Sequence, residues 1–192
     1  SYKHDPHDKQ VVNVTYSEAK DHIRNLGTGL ISLGCRDNHV ALAGESSYEW
    51  ICSYFALMSV GAVVVPIDKD LPAHDIAEIL KTAGCKYVLF SASVEAKIEA
   101  ARGVTPCLKD YICLGEPKTN DVLKLSDIAA KGDALFNSGD NAYYDYEIDR
   151  ERLATIVFTS GTTGKGKGVM LSQRNIVSDM TNGMSNFAIT PK

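Results

Sequence analysis

The sequence lacks the features that mark several large classes of protein. Its 192 residues carry 20 lysines and arginines against 24 aspartates and glutamates, so general attraction to nucleic acid or to anionic membranes is not expected. The longest apolar run, residues 50–65, contains serines and a glycine and stops at Pro66, which is too short and interrupted for a transmembrane segment. No basic and then apolar secretory leader opens the chain.

The cysteines form neither a disulfide framework nor a metal-binding pattern. Their number is odd, they are widely scattered, and neither a CxxC pair nor a histidine at ligand spacing accompanies them. They are Cys35, Cys52, Cys85, Cys107 and Cys113. We therefore expect mostly buried, reduced thiols and a cytoplasmic protein.

Apolar residues alternate between helical spacing and short continuous runs along most of the chain. The predicted helices cover residues 15–34, 46–58, 72–83, 94–102 and 125–131, with a further one after Ser172. The predicted strands are 39–44, 62–67, 86–90, 110–115, 154–159 and 168–171. Thr15 with Glu18 and Ser46 with Glu49 predict capping boxes. This order predicts an α/β fold whose largely parallel sheet is flanked by helices on both faces.

The alternation breaks down over residues 132–152, whose polar, glycine-containing composition is typical of a surface connection. An alternative interpretation of this segment is a contact patch formed by Tyr143, Tyr144 and Tyr146. The sequence indicates no specific partner for it. We interpret the segment as a connection inside a single unit that covers residues 1–192.

The most biased stretch, TSGTTGKGKG, follows a predicted strand at Thr159–Gly168. Glycines let successive backbone N–H groups converge on an anion, while hydroxyls and lysines add donors and charge. A plain glycine-rich linker would not normally combine these residues after a buried strand. The stretch therefore predicts a polyphosphate-binding loop, with the candidate residues Thr159, Ser160, Gly161, Thr162, Thr163, Gly164, Lys165 and Lys167.

This loop departs from the P-loop pattern G-x-x-x-x-G-K-[ST]. Gly161, Gly166 and Lys167 satisfy its first seven positions, but Gly168 replaces the hydroxyl residue that would hold magnesium. A strand-like segment, and not a helix, comes next. Both differences favour another kind of phosphate-binding loop.

The longer stretch TSGTTGKGKGVMLSQRNI resembles the signature loop of the adenylate-forming (AMP-binding) superfamily, which includes acyl-CoA synthetases, peptide-synthetase adenylation domains and luciferase-like enzymes. Residues 16–34, 39–50 and 61–80 are similar to the first segments of the same enzymes, and the resemblance is greatest to long-chain fatty acyl-CoA ligases. It implies the N-terminal portion of an acyl-CoA synthetase-like fold. Gly166 stands where the family usually has proline, and Gln173 where many relatives have histidine.

The resemblance implies an ATP-dependent ligase that converts a carboxylic acid, such as a long-chain fatty acid, into an acyl-adenylate and then transfers the acyl group to coenzyme A. Thr159 to Lys167 would surround the β- and γ-phosphates, with Lys167 as the better-placed charge and Thr159 near Mg²⁺. The implied partners are ATP, the acid and coenzyme A, without nucleic acid; a homodimer stays open. The resemblance also implies a role in fatty acid and lipid metabolism.

No catalytic residue is assigned within the 192 residues, because no Tyr-Gly-x-Thr-Glu-like segment and no small C-terminal domain is present. We expect the chain alone to be inactive. Two alternatives stay open: an adenylation domain that loads a carrier protein, and a nucleotide-binding module without catalysis. His22, His39 and His74 lie in or beside ordinary elements, and we interpret them as surface or packing residues.

Overall fold

A computed structural model describes residues 11–159 and 166–185. The helices within these ranges are α1 (Tyr16–Leu33), α2 (Tyr48–Ser59), α3 (Ala73–Thr82), α4 (Glu95–Arg102), α5 (Leu125–Asn137) and α6 (Gln173–Ser185). The strands are β1 (His39–Ala43), β2 (Val63–Ile67), β3 (Tyr87–Phe90), β4 (Asp110–Cys113), β5 (Leu123–Lys124), β6 (Leu153–Thr159) and β7 (Lys167–Ser172).

The strands form one sheet in the order β5-β4-β3-β1-β2-β6-β7. Neighbouring strands are parallel except for β6 and β7, which pair in antiparallel fashion. The chain passes from β1 to β2 on one side and then crosses to β3 on the other. The sheet therefore changes winding direction between β1 and β3, as in other doubly wound α/β folds.

Helices cover both faces of the sheet, as the sequence predicts. Alternate residues of β1 enter two different cores, because successive side chains of a strand point to opposite faces. Val40 and Leu42 pack with residues of α1, α2 and α5. Ala41 and Ala43 pack with residues of α3 and α4. The predicted α/β class, with a largely parallel sheet between two helical layers, is confirmed.

The predicted helix starts are confirmed for α1 and α6 but are wrong by one residue for α2. Thr15 and Glu18 form a capping box: the Glu18 amide donates to the Thr15 hydroxyl at 3.2 Å, and the Thr15 amide donates to the Glu18 carboxylate at 2.7 Å. The predicted pair of Ser46 with Glu49 does not cap α2. Ser47 has the extended backbone of an N-cap residue, and its side chain accepts a hydrogen bond from Trp50 at 3.1 Å.

The predicted surface connection over residues 132–152 starts too early, because α5 continues through Asn137. Gly132 is buried where α5 crosses α1, and a Cβ atom there would lie 1.8 Å from the Asn25 carbonyl oxygen. The absence of a side chain at Gly132 allows the two helices to touch. Residues 138–152 contain no helix or strand, and Tyr143 packs against the core.

The cysteines of the described chain are free thiols. Four are buried and Cys107 is half-buried, so the expected reduced state is that of the structure. Among the helices that the structure describes, none is both long and apolar enough to cross a membrane.

Candidate functional site

The predicted phosphate-binding stretch joins the two strands of an antiparallel hairpin. β6 and β7 pair so that Thr159 lies opposite Lys167 and Phe158 lies opposite Gly168. Both ends of the stretch are therefore held side by side by the sheet. The strand prediction for residues 168–171 is confirmed. The antiparallel pairing is not among the predictions, although a short polar segment between two strands is a hairpin signal.

Of the predicted site residues, the structure describes Thr159 and Lys167, and both are exposed at the end of the hairpin. The remaining six lie outside the described residues. These six are Ser160, Gly161, Thr162, Thr163, Gly164 and Lys165. The pairing of Thr159 with Lys167 brings a hydroxyl-bearing residue and a cationic residue to adjacent positions at one edge of the sheet.

A buried threonine fixes β6 to the parallel part of the sheet. Thr155 is aligned with Val64 of β2, and its hydroxyl donates to the Val64 carbonyl oxygen at 2.7 Å. The side chain is 1% exposed, so this bond satisfies a polar group that would be costly to bury alone. Nothing in the sequence distinguishes Thr155, because a threonine inside a strand is unremarkable without its neighbours.

The two glycines at the start of β7 have different structural roles. A Cβ atom at Gly168 would lie 2.8 Å from the Cγ2 atom of Ile156, so the hairpin packs too closely there for a side chain. A Cβ atom at Gly166 would find Phe158 at 3.6 Å and the Thr159 carbonyl oxygen at 3.7 Å, which are ordinary contacts. Close packing therefore accounts for Gly168 but not for Gly166.

The end of β6 lies at the edge where the carboxyl ends of the parallel strands meet, and ligands of open α/β sheets bind at this edge. Polar groups gather there after β1 and β3. The Ser93 hydroxyl donates to the Glu45 carboxylate, and the Ser91 and Ser93 hydroxyls are 3.1 Å apart. Burial alone would raise the pKa of Glu45, but hydrogen bonds from Ser91 and Ser93, a backbone hydrogen bond and the charge of Lys69 together lower that pKa.

Two lysines add positive charge at the same edge. Lys97 of α4 donates to the Lys69 carbonyl oxygen at 2.7 Å, and the Lys69 ammonium contacts Asp70 at 2.9 Å. The hydrogen bond to Asp70 is the main reason that the pKa of Lys69 is raised. A sequence signal for this cluster exists, since Glu45, Lys69 and Ser91 each come within two residues of the end of a predicted strand.

The three histidines that the sequence analysis treated as structural have ordinary surroundings. His39 Nδ1 is 2.5 Å from the Ala83 carbonyl oxygen, and His22 Nδ1 is 3.1 Å from the Tyr48 hydroxyl. Burial lowers the pKa of His22, and Glu49 partly opposes this effect. His74 is an exposed residue beside Asp75. Within residues 11–159 and 166–185, no three His, Cys, Asp or Glu side chains form a metal-binding group.

Two surface grooves of the described chain lie away from Thr159 and Lys167. One of about 490 Å³ is lined by residues 147–151 and Arg174, and a second of about 670 Å³ runs beside the first turns of α6. Both adjoin the Leu153–Ser172 end of the hairpin, roughly 20 Å from its other end at the usual rise of a strand. The candidate site is therefore the carboxyl edge of the sheet, and not either groove.

A comparison with known protein families shows which family this chain belongs to. The sequence profile of the family described as AMP-binding enzyme matches residues 3–191, which is nearly the whole chain. The chain belongs to the AMP-binding enzyme family.

Individual AMP-binding relatives differ in what their names say they act on. The long-chain-fatty-acid–CoA ligase FadD15 of Mycobacterium bovis is 30% identical over 88% of this chain and 28% of that protein. The phosphinothricin tripeptide synthetase PhsC of Streptomyces viridochromogenes is 31% identical over 93% of this chain and 15% of that protein. This chain therefore spans less than a third of the length of either relative.

Solved structures of AMP-binding enzymes share the fold. An inhibitor-bound crystal structure of the N-terminal domain of FACL13 from Mycobacterium tuberculosis matches with a TM-score of 0.77 at 25% identity. The match covers 93% of this chain and 42% of that one. The seven-stranded sheet is therefore part of the N-terminal domain of an adenylate-forming enzyme fold.

Proposed function

We propose that this chain is the N-terminal part of an ATP-dependent, AMP-forming acyl-CoA ligase. The reaction joins a carboxylic acid to AMP with release of pyrophosphate and then transfers the acyl group to coenzyme A. The observation that carries the proposal is the hairpin of an AMP-binding family member, which holds Thr159 beside Lys167 at the ligand-binding edge of the sheet. The stretch between these residues contributes glycines, hydroxyls and a further lysine.

In this proposal the stretch from Thr159 to Lys167 holds the β- and γ-phosphates of ATP. Lys167 neutralises charge that develops on the departing pyrophosphate, which is the usual way in which such leaving groups are stabilised. Ser160, Thr162, Thr163 and Lys165 carry further donors, and Gly161 and Gly164 have no side chain that could cover a backbone N–H group.

Mg²⁺ fits the site only as a partner of the nucleotide. Thr159 offers one hydroxyl oxygen, and the described residues provide no carboxylate group that could hold the ion unaided. Magnesium in nucleotide enzymes is commonly bound by substrate phosphates and waters with one or two protein ligands, and Thr159 would be one such ligand. The ion, when bound, would neutralise phosphate charge.

For the acid we propose a long-chain fatty acid, which would place the protein in fatty acid and lipid metabolism. The name of the 30% identical FadD15 supports this choice. A carrier-protein-loading adenylation domain is the second candidate, because a tripeptide synthetase is 31% identical over a similar length. We propose a cytoplasmic location, supported by the free thiols of all five cysteines.

The proposal is tested by pyrophosphate release from the natural-length protein. Purified protein, ATP, Mg²⁺ and coenzyme A are incubated with a panel of carboxylic acids that includes fatty acids of graded length and amino acids. We expect acid-dependent release of pyrophosphate, formation of AMP and a fatty acyl-CoA product. Amino-acid-dependent release without acyl-CoA would favour the adenylation domain. Absence of acid-dependent release throughout the panel would contradict both and favour a nucleotide-binding module.

The 192-residue chain by itself is expected to have no acyl-activating activity and to bind ATP weakly or not at all, because the carboxyl edge that it contributes is only part of the proposed site. Isothermal titration calorimetry of this chain with ATP and Mg²⁺ measures the affinity directly. A dissociation constant in the micromolar range would contradict the expectation.

A further inference from the structure

A buried carboxylate without a cationic partner lies at the carboxyl edge of the sheet. Glu95 is the first residue of α4, which follows β3, and it is only 2% exposed. None of the ion pairs in the described part of the chain includes this residue. A buried charge is costly unless other groups compensate it, so the carboxylate must depend on hydrogen bonds.

The hydrogen-bond donors come from the connection between β4 and β5. The Lys118 amide donates to the two carboxylate oxygens of Glu95 at 2.9 and 3.0 Å. The Thr119 amide and the Thr119 hydroxyl both donate to Oε1 of Glu95 at 3.1 Å. Successive backbone N–H groups that converge on one anion form a nest, which is a known kind of anion-binding site. Here the anion belongs to the chain itself.

The β4–β5 connection has few other buried contacts. Leu114 and Val122 are buried at its two ends, whereas residues 115–121 are exposed or half-buried. Its ion pairs, from Asp121 to Arg102 and from Glu116 to Lys124, involve exposed carboxylates, and surface pairs of this kind contribute little to stability. Glu95 is therefore the main buried anchor of residues 115–121.

The same turn of chain connects three loops along the carboxyl edge. Ser93, two residues before Glu95, donates to Glu45 in the loop after β1. Glu95 itself binds the loop after β4 through Lys118 and Thr119. The segment between β3 and α4 thus holds the loops on either side of it, and the Glu95 carboxylate is its contact with the outer one.

We propose that the β4–β5 connection is an anion-binding nest whose resident anion is the Glu95 carboxylate, and that this internal anion keeps residues 115–121 ordered at the carboxyl edge. The nest recognises a small carboxylate through two N–H groups and one hydroxyl. A glutamine at position 95 would have a similar size but only one acceptor oxygen, and its NH₂ group would face donors. Truncation to alanine would leave the donors free for a small carboxylate such as formate.

Hydrogen exchange of the natural-length protein, measured by mass spectrometry on peptides that cover residues 115–122, tests the proposal. Glu95→Gln and Glu95→Ala should both exchange at least about tenfold faster there than the unsubstituted protein. Sodium formate should slow the exchange of Glu95→Ala again, whereas sodium chloride of equal ionic strength should not.

Two control variants separate the nest from general charge effects. Glu78→Gln removes an exposed carboxylate of α3 and should leave the exchange of residues 115–122 unchanged. Lys118→Ala should also leave it unchanged, because Lys118 contacts Glu95 through its backbone amide.

Unchanged exchange in Glu95→Gln would overturn the proposal, as would a folded Glu95→Ala protein on which formate has no effect. If Glu95→Ala does not fold, the comparison of Glu95→Gln with Glu78→Gln decides by the same criterion. No ATP or acid substrate enters the measurement, so its result is independent of the proposed ligase activity.

Discussion

Replacement of Gly132 by alanine tests the contact between α1 and α5. An alanine in a helix is ordinarily favoured over glycine by about 1 kcal/mol, so propensity alone predicts a more stable protein. The structure predicts the opposite, because the added Cβ atom would lie 1.8 Å from the Asn25 carbonyl oxygen and 2.6 Å from the Gly29 amide nitrogen. Both atoms belong to the backbone of α1, so no side-chain rotation can relieve the contact.

The magnitude follows from the shift that the helices must make. Restoring an ordinary contact of about 3.4 Å from 1.8 Å moves one helix by more than an ångström. Because Leu26, Leu30 and Ile128 pack in the same core, such a shift also disturbs their contacts. Overpacking typically costs about 1–3 kcal/mol and occasionally more. We expect Gly132→Ala to lower the free energy of unfolding by about 2–3 kcal/mol and the melting temperature by about 5–10 °C.

Gly183→Ala is the matched control, since Gly183 also lies in a helix, α6, but a Cβ atom there would meet nothing within 4 Å. This variant should be as stable as the unsubstituted chain or more stable, by up to about 1 kcal/mol. Thermal melts and urea titrations followed by circular dichroism measure both variants. If Gly132→Ala melts at or above the melting temperature of the unsubstituted chain, the close contact between α1 and α5 at Gly132 is refuted.

Two further predictions concern the carboxyl edge. Gly168→Ala should lower the free energy of unfolding by about 1–3 kcal/mol, and with it the urea midpoint, because the added Cβ atom would lie 2.8 Å from Ile156. Gly166→Ala should leave the urea midpoint unchanged. Equal midpoints for the two variants would contradict this prediction. Glu45 has a lowered pKa, so its carboxylate stabilises the folded state above pH 4.5 and this contribution disappears as the pH falls through the lowered pKa. Between pH 6 and pH 3, the free energy of unfolding of Glu45→Gln should therefore fall less than that of the unsubstituted chain. Urea titrations across this pH range measure the difference, and an equal fall in both proteins would disprove the prediction.

The sequence predicts the sheet well where its pattern is regular. Strands such as residues 39–44 and 86–90 are continuous apolar runs between amphipathic helices, and burial on both faces leaves few other arrangements. The same pattern carries no information about strand direction for residues 168–171. In the structure β7 pairs with β6 in antiparallel fashion, with Gly168 close to Ile156.

Glycine is the residue whose role the sequence leaves most ambiguous. The predicted helix over residues 125–131 stops just before Gly132, although in the structure this glycine lies inside α5 and allows α5 to touch α1. The candidate site shows a related limit: composition identifies the stretch from Thr159 to Lys167, but the polar cluster of Glu45, Ser91 and Ser93 comes from segments far apart in the chain. Only the order of the strands brings these segments to one edge.

The proposal that the β6–β7 hairpin presents a phosphate-binding lysine is best tested by acid-dependent ATP–pyrophosphate exchange in the natural-length protein. Hydrogen bonds to charged groups contribute about 1.5–3 kcal/mol, so Lys167→Ala should slow exchange by at least about tenfold. Lys131→Ala, which removes an exposed lysine of α5, should leave the rate unchanged. Equal exchange rates in the two variants would contradict the claim.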